Sequence, residues 1–351
     1  MDSITQFALG AAMGEAVLGK KIGNKAILWG GLAGTIPDLD IIFFPLMDEV
    51  GRLSFHRGIS HSLFFAFVVA PLLAWLVTRW YQKDENNTTT FRDWTLLFFL
   101  GLFTHPIIDA FTVYGTQLFL PFSDYRVGLN NVFILDPLYT VPLLLGLLIA
   151  MFHKKTNARR PFWNHLGIGL STLYVCFTLF SKNMANNAVE YALQNQKIEH
   201  QRFMTAPTPL NSILWYSVVE AKDGYYMGLY SILDKDKNIE FEYFEKDDSL
   251  IENMKDDRAI DRLIWFSQGY YLVRQDDEGL KLYNLIFGKD DLFEPNKKNE
   301  PDYEVGDSFI FSFILHEDKN GDMYFEEKVG PPEDADIKKA FAVLWQRIKG
   351  K

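Results

Sequence analysis

Residues 55–62, "FHRGISHS", set Arg57 between His56 and His61 immediately before an apolar run from Leu63 to Trp80. Imidazole nitrogens bind divalent cations, and a guanidinium holds phosphate or carboxylate in bidentate fashion. Three further stretches offer groups of the same kind. "GTIPDLD" carries Asp38 and Asp40, "FTHPIIDAF" carries His105 and Asp109, and "LDP" carries Asp136. His105 and Asp109 are spaced to share one helical face. Histidine nitrogen with aspartate oxygen suits zinc, and a larger carboxylate share admits manganese, iron or magnesium. The expected ligands of one or two such ions are Asp38, Asp40, His56, His61, His105 and Asp109, with zinc leading. Arg57 is expected to hold an anionic part of a substrate, and Asp136 to handle protons. Gly58 is expected to turn the backbone between the two histidines, with Ser60 or Ser62 capping the helix that follows. Each motif alone has a plainer reading: an interfacial histidine, a structural His–Asp hydrogen bond, a helix stop or a headgroup arginine. Only their convergence makes a site.

That convergence depends on the apolar segments. Leu63–Trp80, Trp94–Thr112, Phe133–Phe152 and Phe162–Phe180 have the length and composition to span a bilayer core, which needs about 20 residues. Ile4–Leu18 and Ala26–Ile36 are shorter, and a buried or re-entrant hairpin is their alternative to spanning. Gly10 with Gly14, and Gly30 and Gly31 with Gly34, would let these two helices approach closely. Lys20, Lys21 and Lys25 lie between segments one and two, Arg79, Lys83 and Arg92 between three and four, and Lys154, Lys155, Arg159 and Arg160 between five and six. Cytoplasmic loops are enriched in Lys and Arg, so these alternate loops are expected to be cytoplasmic. Both termini, the 37–62 and 112–132 loops and the C-terminal region then fall outside. The Asp and His candidates, which took no part in that argument, all fall near the outer surface.

The 351 residues divide at about position 181 into an apolar half and an acidic half rich in Tyr and Phe. The expected fold is therefore α+β: a helical membrane domain over 1–181 and a soluble, mostly antiparallel β-rich domain over 182–351 with a C-terminal helix. A net charge of −10 argues against a nucleic-acid partner. Cys176, alone of its kind, allows no intrachain disulfide and reads as a small buried hydrophobe. The acidic start "MD" and the Gly/Ala-rich first segment do not read as a cleaved signal peptide.

Taken together, "MDSITQFALGAA", "GTIPDLD", "HRGISHS", "HPIIDAFTVYGTQLFLPFS" and "LDP" resemble the bacterial membrane-bound metal-dependent hydrolase family, first noted as LexA-regulated inner-membrane proteins. The resemblance covers the first half of the chain and implies a multi-helix inner-membrane protein with metal-dependent hydrolytic activity. It carries Asp38, Asp40, His56, Arg57, His61, His105 and Asp109 as the polar positions. The chain has Gln6 where many members have histidine, and glutamine is a poor metal ligand.

In the second half, β-prone runs around Lys222-Asp223-Gly224 and the Asp/Gly turns that follow predict hairpins, closed by a helix over Asp334–Lys349. "DKNGD" at 318–322 has a calcium-loop flavour, but it sits between strands and reads as a hairpin turn. His200 and His316 are isolated and read as surface or sheet-face residues.

These observations favour a metal-dependent hydrolase of the inner membrane, acting at its outer face on a lipid-linked ester or phosphoester. Its partners would be membrane lipid and a lipid-linked or anionic small-molecule substrate. One alternative is a transporter or proton pathway using the same groups, for which Glu15 in the first segment speaks. Another is a scaffold with a purely structural metal.

Overall fold

Gly10 and Gly14 of helix α1 (Ser3–Ile22) lie directly against Gly30 and Gly34 of α2 (Asn24–Thr35). A Cβ on Gly10 would sit 2.4 Å from the Gly30 carbonyl oxygen, and one on Gly14 would sit 2.3 Å from that of Ala26. Only residues without a side chain permit this approach, as the glycine spacing predicts. The computed structural model describes residues 1–81, 88–276, 279–289, 309–319, 321–329 and 337–350. Lys83, Asn320 and positions 334–336, which entered the sequence reading, lie outside the described residues.

Two compact units emerge. The first comprises Met1–Leu46, Phe55–Leu179 and Pro209–Asn211, and the second comprises Met47–Ser54, Phe180–Thr208 and Ser212–Lys351.

In the first unit, α2 ends at Pro37, where the chain bends by 44° into a 3-10 helix, Pro37–Leu46. The short α3 (Glu49–Phe55) falls in the second unit up to Ser54, and the first resumes with α4 (Leu63–Tyr81), α5 (Phe91–Asp109) and α6 (Pro137–Met151). The part of α7 (Arg159–Gln196) up to Leu179 completes the unit. Local signals fix the helix starts. Asp2 caps α1, a Thr90–Asp93 capping box opens α5, and Asp136 with Pro137 opens α6. Pro142 and Gly146 of α6 meet Trp163 and Gly167 of α7, where a Cβ on Gly146 would lie 2.6 Å from the Trp163 carbonyl oxygen.

The apolar distribution is inverted relative to that of a water-soluble bundle. α4 buries Ala66, Ala70, Ala74 and Val77 and exposes Phe67, Leu72, Trp75 and Leu76. α6 likewise exposes Leu138, Val141, Leu145 and Leu148. Small residues inward and large apolar residues outward is the pattern of helices packed in lipid.

Every predicted apolar segment contains a helix, though Phe133–Phe152 is helical only over Pro137–Met151 and Trp94–Thr112 only to Asp109. The expectation of four spanning segments and two shorter candidates needs correction. Among the described residues, one helix, α4, is long and apolar enough to cross a membrane, or two if the bent pair of α2 and the 3-10 helix counts as one span. α6 has 15 residues, or about 22 Å of helix against a core of about 30 Å. α1 carries Glu15, Lys20 and Lys21, and α5 carries Arg92, Asp93 and Asp109. Cys176 is also corrected: it is exposed on α7 instead of buried.

The second unit contains two antiparallel four-stranded meanders where the sequence suggested one sheet. β1 (Arg202–Pro207), β2 (Leu214–Glu220), β3 (Gly224–Ser231) and β4 (Glu242–Glu245) pair in chain order. In register, Met204 faces Val218, Val218 faces Met227, and Tyr225 faces Phe244. The α7 residues Ala188, Val189, Ala192 and Leu193 pack on Trp215, Val219 and Tyr230 of this sheet. After α8 (Arg258–Phe266) come β5 (Tyr271–Asp276), β6 (Gly279–Asn284), β7 (Phe311–Glu317) and β8 (Met323–Val329), again in chain order. Phe266 of α8 packs on Phe311 and Phe313. α9 (Ile337–Ile348) packs Leu344 and Ile348 against Leu214.

Candidate metal centre

Three elements of the first unit deliver the four candidate ligands, two of them from α5. Pro37 stops α2, which places Asp38 at the start of the 3-10 helix. His61 ends a single 3-10 turn, Ile59–His61, just before Ser62 caps α4 by accepting from the Phe65 N–H. His105 and Asp109 come from the last turns of α5, one helical turn apart. The ligand atoms of Asp38, His61, His105 and Asp109 all lie within 4.8 Å of one another.

The distances are informative. His61 Nε2 lies 3.1 Å from His105 Nε2 and 3.3 Å from Asp38 Oδ1. His105 Nε2 lies 3.4 Å from Asp38 Oδ1. Asp109 Oδ2 is 3.6 Å from His61 Nε2 and 3.7 Å from His105 Nε2. A tetrahedron with vertices 2.0–2.2 Å from its centre has edges of about 3.3–3.6 Å. An octahedral site at 2.0–2.1 Å has adjacent edges of about 2.9 Å. The five distances fall around the tetrahedral value.

Hydrogen bonds fix the imidazoles in the ligand tautomer. His105 Nδ1 is 2.6 Å from the Gly34 carbonyl oxygen, which can only accept, so Nδ1 carries the proton and Nε2 presents a lone pair to the cluster. His61 Nδ1 is 3.0 Å from Ser60 Oγ, which itself donates to Asp40 Oδ2 at 3.3 Å. Assigned from this network, His61 Nε2 also presents a lone pair. Two lone pairs 3.1 Å apart repel unless a cation lies between them. Asp109 Oδ2 is buried there with no hydrogen-bond partner. The donor set therefore fits a divalent metal ion. Burial, the largest cause, holds the His61 imidazolium pKa down at about 4, so the ring is neutral and ready to ligate at physiological pH.

The other predicted residues take supporting places. Asp40 is buried and accepts from the Arg57 N–H (3.1 Å) and from Ser60, lies 3.7 Å from His61 Nδ1, and pairs through Oδ1 with His56 Nδ1 at 3.1 Å. It thus forms the outer member of a carboxylate–histidine arrangement of the kind that orients metal ligands. The His56 side chain, one-quarter exposed, stands outside the group of four. Arg57 is buried, donates from Nη1 to Thr112 Oγ1 (3.0 Å), covers the Tyr114 ring, and places Nε 3.3 Å from Asp109 Oδ2. Its φ of +56° makes Arg57, and not Gly58, the left-handed residue of the turn. Gly58 follows it at φ −88° and ψ −127°, outside the helical and extended regions, as a residue that turns the backbone would be. Asp136 caps α6 through the Leu138 N–H (3.0 Å) and accepts from the Tyr174 hydroxyl (2.8 Å).

Sequence reasoning missed the groups that hold the ligands in place. Gln6 donates to Asp109 Oδ1 at 2.9 Å and to the His105 carbonyl at 3.3 Å, and the Met1 amino group also donates to Asp109 Oδ1. A glutamine at this position of the first helix was the available signal. Ser60, Thr112, Tyr114 and the Gly34 carbonyl gave none.

Glu15, the residue that spoke for a proton pathway, is buried in a bidentate pair with Arg160 at 2.7 and 2.6 Å. Arg160 is accordingly a buried α7 residue, not one of the loop cations used to orient the chain.

Residues 1–185 match the YdjM inner membrane protein family. The inner membrane protein YbcI of Escherichia coli (strain K12) is 30% identical over 125 residues, covering 35% of this chain and 69% of YbcI. The uncharacterized protein YfhP of Bacillus subtilis (strain 168) is 30% identical over 159 residues, covering 42% of this chain and 46% of YfhP. No solved structure matches the chain.

Proposed function

Because the chain belongs to the YdjM inner membrane protein family, we propose that it is a membrane-bound metal-dependent hydrolase acting on a lipid-linked ester or phosphoester. The observation that carries this reading is the compact set of Asp38, His61, His105 and Asp109, with two imidazole lone pairs facing each other at 3.1 Å. Asp38, His61, His105 and Asp109 would hold a divalent ion, zinc first, which would supply Lewis acidity toward a water and the scissile group. Asp38, whose side chain is 26% exposed, is the one member of the four in reach of solvent. Arg57 would hold the anionic part of the substrate, already braced by Thr112 and Tyr114. Asp136, whose oxygens cap α6 and accept from the Tyr174 hydroxyl, would handle protons. The outward apolar faces of α4 and α6 support a multi-pass arrangement, and the lysine-rich loops favour an extracytoplasmic C-terminal domain.

Metal analysis of detergent-purified protein tests the reading. About one zinc per chain is expected in the wild type, and background in His61→Ala and His105→Ala. Metal content unchanged by both substitutions would refute it. A parallel screen against phospholipid and isoprenoid-phosphate substrates tests hydrolysis itself. The buried, four-residue ligand set also fits a structural ion. Metal retained with no turnover of any ester would favour that second reading.

A further inference from the structure

His56 has the placement of a group that works on a substrate instead of on the ion. His61 and His105 are fully buried and turn Nε2 inward, whereas the His56 side chain keeps a quarter of its surface open. Its Nδ1 is taken by Asp40 Oδ1 at 3.1 Å, which leaves Nε2 as the outward atom. The ring stands between Phe44 and Tyr114, with centroid separations of 5.9 and 5.4 Å, and 6.0 Å from the His61 ring. Asp40 also accepts from the Arg57 N–H and Ser60 Oγ, so protein groups on the same turn hold it against His56. A buried carboxylate fixing one imidazole nitrogen while the other is left available to a substrate is the arrangement of a general acid–base histidine.

We propose that His56, positioned by Asp40, gives the leaving oxygen its proton. This rests on the hydrolase reading above and adds a catalytic residue to it. As the attacking water oxygen forms its bond to phosphorus or the acyl carbon, the bond to the leaving oxygen breaks and its electron pair stays on that oxygen. The proton on His56 Nε2 moves to it, and the neutral imidazole regains a proton from the attacking water. His56 is then a catalytic residue and Asp40 a positioning residue.

Leaving-group dependence separates this role from metal binding. The probes are hexadecyl p-nitrophenyl phosphate and hexadecyl butyl phosphate, with the p-nitrophenyl and butyl hexadecanoates as the carboxylic ester pair. p-Nitrophenolate departs without a proton, and butoxide does not. His56→Gln should keep the wild-type metal content while losing about 100-fold on the butyl ester. That loss should exceed the loss on the p-nitrophenyl ester by at least about tenfold. Asp40→Asn should shift the same ratio in the same direction, and added imidazole should restore butyl-ester turnover to His56→Ala. Equal losses on both leaving groups, or loss of metal from His56→Gln, overturn the role of His56 and leave the hydrolase reading standing. A wild type that cleaves none of the four esters overturns the hydrolase reading, and this inference with it.

Discussion

At the scale of single residues, the centre is a contest between burial and charge. His61 and Asp109 are removed from water, and each is tolerated because neighbours supply what water would have supplied. For His61 the consequence is a pH dependence of stability. Its pKa lies at about 4 in the fold against 6.5 as the reference. The unfolded chain therefore binds the proton more readily between these values. Metal-free protein should hold its full stability above about pH 6.5 and lose it as pH falls toward about 4, by up to about 3 kcal/mol. Thermal melts of wild type and His61→Asn across that window would check this, since the variant should lack the slope. Gln6 yields a second expectation. It holds the outer oxygen of Asp109, so Gln6→Ala should weaken metal binding about 10–100-fold, measured by competition with a chromophoric chelator. The ligand types were legible in the sequence because few other reasons gather histidine and aspartate at the ends of apolar runs. The division of labour was not, because whether Asp40 faces an ion or a second histidine depends on a backbone turn carried by Arg57, a residue rarely found at positive φ.

At the scale of elements, the α1–α2 contact does more than join two helices. Gly34 takes part in that contact, and its carbonyl also fixes the tautomer of His105. Gly10→Ala would drive a Cβ into the Gly30 carbonyl, which cannot rotate away as a side chain would. A cost of about 1–3 kcal/mol is expected, together with reduced metal content. Denaturation in detergent and metal analysis would show both. Helix positions were readable from apolar runs and glycine spacing. Pro37 marked the end of α2, but not the 3-10 helix that follows, because its residues Asp38–Leu46 carry no helical periodicity that distinguishes 3-10 from loop. The polar stretch after Ser181 reads as a helix leaving the membrane surface, and α7 does run on through it to Gln196. Its inward face there is Ala188, Ala192 and Leu193, whose partners are strands distant in sequence.

At the scale of the whole molecule, membrane residence follows from the family, while orientation follows from a charge count that Arg160 no longer joins. Alkaline phosphatase fused after Lys351 should be active in the periplasm if the C-terminal domain lies outside, and a cytoplasmic fluorescent reporter at the same point should be bright if it does not. The buried Glu15–Arg160 pair joins α1 to α7 in the first unit. Glu15→Gln should cost about 3–5 kcal/mol in a thermal melt by leaving a guanidinium uncompensated. The sequence separates the α-rich and β-rich halves because composition changes between them, but one sheet and two meanders share the same alternation and the same turns.

Cys176 gives experimenters a handle that needs no engineering. As the sole thiol, exposed midway along α7, it accepts one fluorophore at one known position. Nitroxide-bearing phospholipids, quenching that dye most strongly when the spin label shares its depth, would then read out directly how far this helix is immersed.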